Sequence, residues 1–225
     1  MGSGWSISRS RSFQVKDLYV VTHPEAQHTV DDRVGGWHDS RLTAHGRAQA
    51  NLVGKTLARR VCASSRPTRL VSSDLSRCAQ AAEIVAGSTE TPVRLDSRLR
   101  EISFGDAEGR PNSWLATRQV PAPDHDRLDH RGPIPGAETR REVATRVSSC
   151  VQELIADVDH DHIVMTHGYA HTFVITAWLQ LPIDAVGFAS FATSPGAITH
   201  LQHDGYWRNR SVVALANTDH LHTKV

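Results

Sequence analysis

The stretch DLYVVTHPEAQH, residues 17–28, runs from four consecutive apolar residues into a histidine and a proline. Leu18 to Val21 have the length and composition of a buried strand. The chain turns polar directly afterwards, so His23 lies at the carboxyl end of this predicted strand. Pro24 keeps the residue before it out of the helical region and fixes the direction in which the chain leaves. The stretch therefore predicts a histidine held rigidly at one edge of a sheet.

Five further apolar runs have the length of strands, and they lie at residues 69–72, 93–95, 163–166, 197–201 and 212–216. Helical patterns separate them. One amphipathic helix has Thr43 as its predicted N-cap and an apolar face formed by Ala50, Val53, Leu57 and Val61. A later helix has an apolar face formed by Val143, Val147, Cys150, Leu154 and Val158. This alternation predicts an α/β fold, a three-layer α/β/α sandwich with a mostly parallel central sheet and its site at the carboxyl ends of the strands.

The length of 225 residues suits one domain with a substantial core. We expect a single domain over residues 15–225, preceded by a flexible amino-terminal tail over residues 1–14. Residues 111–136 are rich in Pro, Asp, His and Arg and show no clear period. We interpret them as a lid or loop excursion with a short helix near Trp114, more suited to covering a site than to forming a second domain.

The overall composition narrows the classes of function. The chain has 25 Lys and Arg against 24 Asp and Glu, so bulk electrostatics favour neither a nucleic-acid partner nor an anionic membrane. Its three cysteines lack CxxC spacing, which argues against a zinc ribbon or a disulfide framework. No segment approaches the roughly 18 apolar residues of a membrane span, and we expect a cytoplasmic protein that acts on a small molecule. The oligomeric state is left open between a monomer and a homodimer.

Two histidines occupy matching positions. His23 follows the segment LYVVT, and His167 follows HIVMT and precedes Gly168. Either histidine alone is compatible with a structural role in a core or a loop. Because neighbouring parallel strands end at the same edge of a sheet, we expect the two imidazoles to share one crevice.

An arginine and a glutamate follow other predicted strands. In SSDLSRCAQAA, Ser73 or Asp74 is predicted to cap a helix whose first turn carries Arg77. A guanidinium there suits phosphate oxygens, and a surface ion pair is the alternative role for Arg77. In RLREISFGDAEG, Glu101 precedes a glycine-containing turn. A carboxyl group near an anionic ligand is pushed toward its protonated form, as a general acid requires.

Together these segments resemble the histidine phosphatase superfamily, which includes the cofactor-dependent phosphoglycerate mutases and many broad-specificity phosphatases. The resemblance runs from His23 through GWHDSRLTAHGRAQA, SSDLSRCAQAA, LREISFGDAEG, PGAET and MTHGYAH. The segments occur in the order of the family and cover nearly all of the chain. The resemblance implies a fold like that of phosphoglycerate mutase.

The resemblance also implies roles for the residues that match the family's motifs. His23 becomes the nucleophile that attacks phosphorus, and Glu101 becomes the proton donor to the leaving group. Arg77 and His167 become phosphate ligands, and Gly168 is grouped with them as a substrate contact. Neither a metal nor a cofactor is implied.

The triplet Thr22-His23-Pro24 departs from the Arg-His-Gly signature of the family. Loss of the arginine removes one positive charge from the phosphate pocket, and proline removes a backbone donor. We count Thr22 among the predicted substrate contacts. The neighbouring side chains that could compensate are His28, Arg33 and His38. We favour His28, which lies in the loop where the family contacts phosphate, and an exposed His28 without a role is the alternative.

The implied reaction is metal-independent hydrolysis of a small phosphomonoester through a phosphohistidine. A phosphomutase, which would return the phosphoryl group to the substrate, is one alternative. A protein that keeps the fold and only binds a phosphorylated ligand is another, although His23, Arg77, Glu101 and His167 are all present. A metal-dependent hydrolase is disfavoured because the chain has no HExxH motif. Nucleotides, sugar phosphates and specialised-metabolite phosphates all remain open as substrates.

Overall fold

The computed structural model describes residues 15–222, so the tail expected over residues 1–14 lies outside the described residues. Within that range six strands form one sheet in the order β3-β2-β4-β1-β5-β6. The strands are β1 Lys16–Thr22, β2 Thr68–Ser72, β3 Val93–Leu95, β4 Asp161–Thr166, β5 Ile198–His203 and β6 Arg210–Asn217. Strands β1 to β4 are mutually parallel, while β5 and β6 add an antiparallel edge. The six predicted strands and the mostly parallel sheet are confirmed.

Helices cover both faces of this sheet. They are α1 Gln27–Val30, α2 Ala44–Ala63, α3 Ser76–Thr89, α4 Asn112–Ala116, α5 Arg140–Ala156, α6 Gly168–Trp178 and α7 Asp219–His222. Successive side chains of a strand point to opposite faces, and β1 shows this directly. Leu18 and Val20 pack with α5 and α6, whereas Tyr19 and Val21 pack with α2 and α3. The predicted three-layer α/β/α sandwich is thereby confirmed. Among residues 15–222, no helix combines the length and the apolar character that crossing a membrane would need.

The start of α2 is held by the predicted N-cap. The Thr43 hydroxyl accepts a hydrogen bond from the backbone N–H of Gly46 at 2.9 Å and donates to the Glu25 carboxylate at 2.5 Å. Capping satisfies an N–H group that the first turn of a helix leaves without a partner. The second bond ties the loop after His23 to α2.

The cap predicted for α3 is wrong. Neither Ser73 nor Asp74 caps this helix; its N-cap residue is apolar and makes no side-chain capping bond. The carboxylate of Asp39, from a distant loop, accepts instead from the Ser76 backbone N–H at 2.7 Å and from the Ser76 hydroxyl at 2.8 Å. Asp74 is engaged by Arg100 at 2.5 Å. Tertiary partners therefore displace the local cap.

The predicted apolar face of α5 is one residue too long. The helix ends at Ala156, because Asp157 adopts φ −76° and ψ 87°, outside the helical region. The Asp157 carboxylate accepts from the backbone N–H of Asp159 at 3.4 Å and lies 2.8 Å from the His160 ring. Val158 is therefore in a turn and is 69% exposed.

The segment over residues 111–136 contains the expected short helix, α4, at Trp114. A separate small core anchors it to the rest of the fold. That core consists of Val34, Ala107, Leu115, Ile134 and Ala137, with Phe104 and Trp114 packed against it. The role of this segment as a lid stays a prediction.

The close approach of α2 to the loop after His23 gives a test of the fold. A Cβ atom on Gly46 would lie 2.0 Å from the Glu25 backbone oxygen, whereas one on Gly87 in α3 would meet no atom within 4 Å. We expect Gly46→Ala to lower the free energy of unfolding by about 1–3 kcal/mol through overpacking. Gly87→Ala should raise it by about 0.5–1 kcal/mol, because alanine is the better helix former. Urea denaturation measures both changes, and equal effects of the two substitutions would contradict the close approach.

Candidate active site

The structure brings the two strand-end histidines together. Thr22 and Thr166, the last residues of β1 and β4, lie side by side in the parallel register. The backbone N–H of His23 donates to the Thr166 carbonyl at 2.9 Å, which extends this pairing by one residue. The rings of His23 and His167 then meet edge to face, with centroids 5.2 Å apart. Both imidazoles lie in one crevice at the carboxyl edge of the sheet.

The tautomer of His23 follows from its neighbour. His23 Nδ1 lies 2.8 Å from the carbonyl oxygen of Pro24. A carbonyl oxygen only accepts, so Nδ1 carries the proton and Nε2 keeps its lone pair. Burial, and then the charge of Arg77, lower the pKa of His23 from 6.5 to about 3. At neutral pH the ring is therefore uncharged, with an unprotonated Nε2.

Arg77 is a buried cation, not a surface one, with 1% of its area exposed. Its Nη1 and Nη2 donate to the carbonyl oxygens of His38 at 2.9 Å and Gly36 at 2.6 Å, and its Nε donates to His167 Nδ1 at 3.2 Å. These bonds use three of the five N–H groups of the guanidinium. Among the described residues, no carboxylate forms an ion pair with Arg77, so its charge is available to an anion.

His167 is fully buried and occupied on both ring nitrogens. Its Nδ1 accepts from Arg77, so Nε2 carries the proton and donates to the Ser73 hydroxyl at 2.8 Å. Burial and the charge of Arg77 hold the pKa of His167 well below 6.5. In this arrangement His167 orients Arg77. Direct contact with a phosphoryl oxygen requires that the Nε2–H exchange Ser73 for that oxygen.

Glu101 is bound by the amino terminus of α6. Its Oε2 accepts from the backbone N–H of Tyr169, and its Oε1 from those of Ala170 and Ile102, each at 3.0 Å. These donors and Arg77 favour the carboxylate, but burial outweighs them and raises the pKa of Glu101 above its usual 4.5. A raised pKa suits a carboxyl group that gives up a proton.

Two residues that the sequence interpretation missed fix the backbone at Glu101. The Arg146 guanidinium donates to the Glu101 carbonyl at 2.8 Å and to two carbonyl oxygens just before it. The Trp37 ring N–H donates to the same Glu101 carbonyl at 2.7 Å. The sequence did contain a signal for Arg146. This charged residue lies beside Val143 and Val147 on an apolar helix face, where a charged side chain needs a partner.

Thr22 is not brought into the crevice. It is 2% exposed, and its hydroxyl donates to the Ser194 carbonyl at 2.6 Å and lies 3.3 Å from the Thr193 hydroxyl. The threonine therefore ties β1 to the loop before β5.

His28, in contrast, lies beside His23. Its ring centroid is 5.9 Å from that of His23, and its Nδ1 is 2.6 Å from the hydroxyl of the buried Ser40. Burial, followed by the charges of Arg77 and His38, lowers the pKa of His28 to about 4. The side chain is half-buried, so the alternative of an exposed His28 without contacts does not hold.

The remaining predicted residues have simpler positions. Gly168 begins α6, where a Cβ atom would lie 3.9 Å from Glu101 Oε2. Arg33 is turned toward a loop, with its Nη1 donating to the Gly109 carbonyl at 2.7 Å. His38 contributes a backbone carbonyl to Arg77. Within residues 15–222, no group of three or more His, Cys, Asp or Glu side chains is arranged to hold a metal ion.

A family model described as the histidine phosphatase superfamily (branch 1) matches residues 18–217. The chain belongs to the histidine phosphatase superfamily. The resemblance drawn from the motifs is thereby confirmed.

The relatives of this chain carry different kinds of name. A protein of Proteus mirabilis (strain HI4320) named probable phosphoglycerate mutase GpmB is 35% identical over 168 residues, which is 73% of this chain and 75% of that protein. The structure of a mycobacterial glucosyl-3-phosphoglycerate phosphatase is 25% identical, with a TM-score of 0.74 over 91% of this chain and 100% of its own. Bacillus stearothermophilus YhfR is 27% identical, with a TM-score of 0.74 over 92% and 99% of the two chains. The names of these relatives thus include a probable phosphoglycerate mutase and a phosphatase.

Proposed function

We propose that this chain is a metal-independent phosphatase that hydrolyses a small phosphomonoester through a phosphohistidine on His23. The observation that carries the proposal is the neutral His23 ring, whose Nδ1–H is held by the Pro24 carbonyl while Nε2 has no partner among the described residues. An uncharged imidazole with a free lone pair is a nucleophile at neutral pH.

In the first step, His23 Nε2 attacks phosphorus and the bond from phosphorus to the ester oxygen breaks. Glu101 protonates the departing oxygen, which its raised pKa favours. The two N–H groups of Arg77 that lack protein partners among the described residues bind equatorial oxygens of the transferring phosphoryl group. A buried, preorganised cation stabilises the charge there far more than an exposed one would.

In the second step, the Glu101 carboxylate takes a proton from a water molecule, whose oxygen attacks the phosphohistidine. The phosphorus–nitrogen bond breaks, inorganic phosphate leaves, and His23 returns to its neutral tautomer. The Nδ1–H bond to Pro24 stabilises the positive charge that the ring acquires while it carries the phosphoryl group.

A phosphomutase is the second candidate, favoured by the name of the Proteus mirabilis relative. The two functions share the first step and differ in whether water or a substrate hydroxyl accepts the phosphoryl group. A protein that only binds a phosphorylated ligand is less well supported, because Glu101 has no role in binding an anion and yet is held by three N–H donors.

His28 takes over part of the role of the missing arginine by donating a hydrogen bond to the phosphoryl group. The ring of His28 is close enough to His23 to reach a phosphoryl group on it, and Ser40 fixes its orientation. As a neutral side chain, His28 donates a hydrogen bond without restoring the lost charge. Phosphate binding by this site should therefore depend more on Arg77 than it does in relatives with the arginine.

Replacement of the acid tests the mechanism. With EDTA present, we expect the wild-type protein to release inorganic phosphate from phosphomonoesters at an undiminished rate.

Glu101→Gln keeps the shape of the side chain but has no proton to give, so it should slow the hydrolysis of alkyl phosphates by about 10² to 10⁴. Aryl phosphates with good leaving groups should be slowed much less. Equal losses on both substrate classes would remove Glu101 from the proton path, and an isomerised ester without phosphate release would indicate the mutase.

Substitutions at positions 22 and 28 test how phosphate is held. His28→Ala should weaken inhibition by inorganic phosphate by about 1.5–3 kcal/mol, the value of a hydrogen bond to a charged group. The exposed His45→Ala serves as the control and should change nothing. Thr22→Arg should lower activity, because the guanidinium would displace the buried contact with Ser194. If Thr22→Arg binds phosphate more tightly and His28→Ala leaves the affinity for phosphate unchanged, His28 does not replace the missing arginine.

A further inference from the structure

A cavity of about 800 Å³ opens between the segment over residues 115–137 and the start of α5. Ile102 and Tyr169 form part of its wall, and their backbone N–H groups are two of those that hold the Glu101 carboxylate. In the proposed function Glu101 protonates the leaving oxygen, so the organic part of the substrate must begin beside Glu101. The cavity therefore lies where the leaving group has to go.

Two arginines in the wall of this cavity carry uncompensated charge. Arg140 donates from Nη2 to the Ala189 carbonyl at 2.8 Å, while its Nε is buried and has no partner among the described residues. Arg127 makes one long bond, 3.4 Å, from Nε to the Gly187 carbonyl. Neither guanidinium forms an ion pair with a carboxylate in the part of the chain that the structure describes. Charged groups that lie partly buried without a counter-ion are expected where an anion binds.

The other charged groups of the wall are already paired. Arg131 binds the Glu142 carboxylate at 2.7 Å. Glu138 supplies the carboxylate of the cavity wall among the described residues. Both of its oxygens accept hydrogen bonds from Arg146, at 2.8 Å each. The uncompensated positive charge is thus confined to Arg127 and Arg140.

Aromatic rings hold these two guanidinium groups in place. Arg140 lies over the Tyr169 ring, 5.4 Å from its centroid, and Arg127 lies over the Phe188 ring at 5.1 Å. Phe104, Leu115 and Ile134 supply an apolar part of the wall. Apolar side chains together with a few convergent polar groups are typical of a small-molecule site, and the volume falls within the usual range of about 300–1,000 Å³.

We propose that this cavity is a leaving-group subsite, and that the substrate carries a second anionic group, a carboxylate or a phosphate, which Arg127 and Arg140 bind. This inference rests on the proposed function, because the orientation of the substrate follows from the role of Glu101. A guanidinium binds either anion through two parallel hydrogen bonds, so the shared chemistry is a planar or tetrahedral oxyanion at the end of the leaving group.

The test compares substrates that differ only in the distal charge. The probes are the monophosphates of ω-hydroxyalkanoic acids of three to eight carbons and their methyl esters, together with α,ω-alkanediol bisphosphates and the matching monophosphates. At the best chain length we expect the kcat/KM of the charged member to exceed that of its uncharged partner by about tenfold or more, as for a hydrogen bond to a charged group. The preferred series identifies the anion as carboxylate or phosphate.

Substitution of the two arginines tests whether they cause the preference for substrates with a distal charge. Arg127→Gln and Arg140→Gln should each remove most of the preference for the charged member and leave kcat/KM for the uncharged member within twofold. The control is Arg118→Gln, an exposed arginine of the same segment that lies over Trp114, 4.2 Å from the ring centroid, outside the cavity wall. Because the uncharged substrates report folding and chemistry in every variant, a loss confined to the charged substrates is specific to the subsite.

The possible results distinguish a failure of the subsite from a failure of the proposed function. Hydrolysis of the uncharged esters without a preference for the charged ones would overturn the subsite and leave the proposed function standing. Equal losses on both substrate classes in the arginine variants would also overturn the subsite. Failure of every probe to release phosphate would overturn the function and the subsite together.

Discussion

The parallel pairing of β1 with β4 is the constraint on which the rest of the site depends. Thr22 lies beside Thr166, and a histidine follows each of these two residues. The two histidine rings therefore share one crevice. His167 in turn accepts from Arg77 and so orients the guanidinium. The helix that follows β4 supplies N–H groups to Glu101. A slip of one residue between β1 and β4 would separate His23 from His167, and so from the arginine that His167 orients.

Burial of the ionisable groups themselves sets the electrostatics of the crevice, and the charge of Arg77 adds to it at the two histidines. Burial and the charge of Arg77 lower the pKa values of His23 and His167, while burial raises the pKa of Glu101. The shifts run in opposite directions, so a neutral nucleophile and a carboxyl group able to donate a proton can coexist at one pH. Thr22, where the family signature has an arginine, contributes no charge, and Arg77 is the charged side chain that lowers the pKa of His23.

Much of this arrangement was readable from the sequence because it depends on local patterns. Apolar runs such as Leu18 to Val21 predicted the strands, and the shared edge of parallel strands predicted the meeting of the histidines. Two of the failures involve partners distant in sequence. Asp39 caps α3 across a loop, and Arg146 reaches the backbone of Glu101 from another helix. The unpaired charge of Arg140 becomes visible only when the segments that surround it are folded together.

The most direct test of the account is the position of phosphate on the enzyme. Rapid acid-free quenching during turnover, followed by ³¹P and ¹⁵N NMR or mass spectrometry of peptides, locates the phosphoryl group. We expect an acid-labile, base-stable phosphohistidine at His23, attached to Nε2, because Nδ1 is committed to the Pro24 carbonyl. Phosphate on Nδ1 of His23, on another residue, or on no residue while turnover continues would contradict the account.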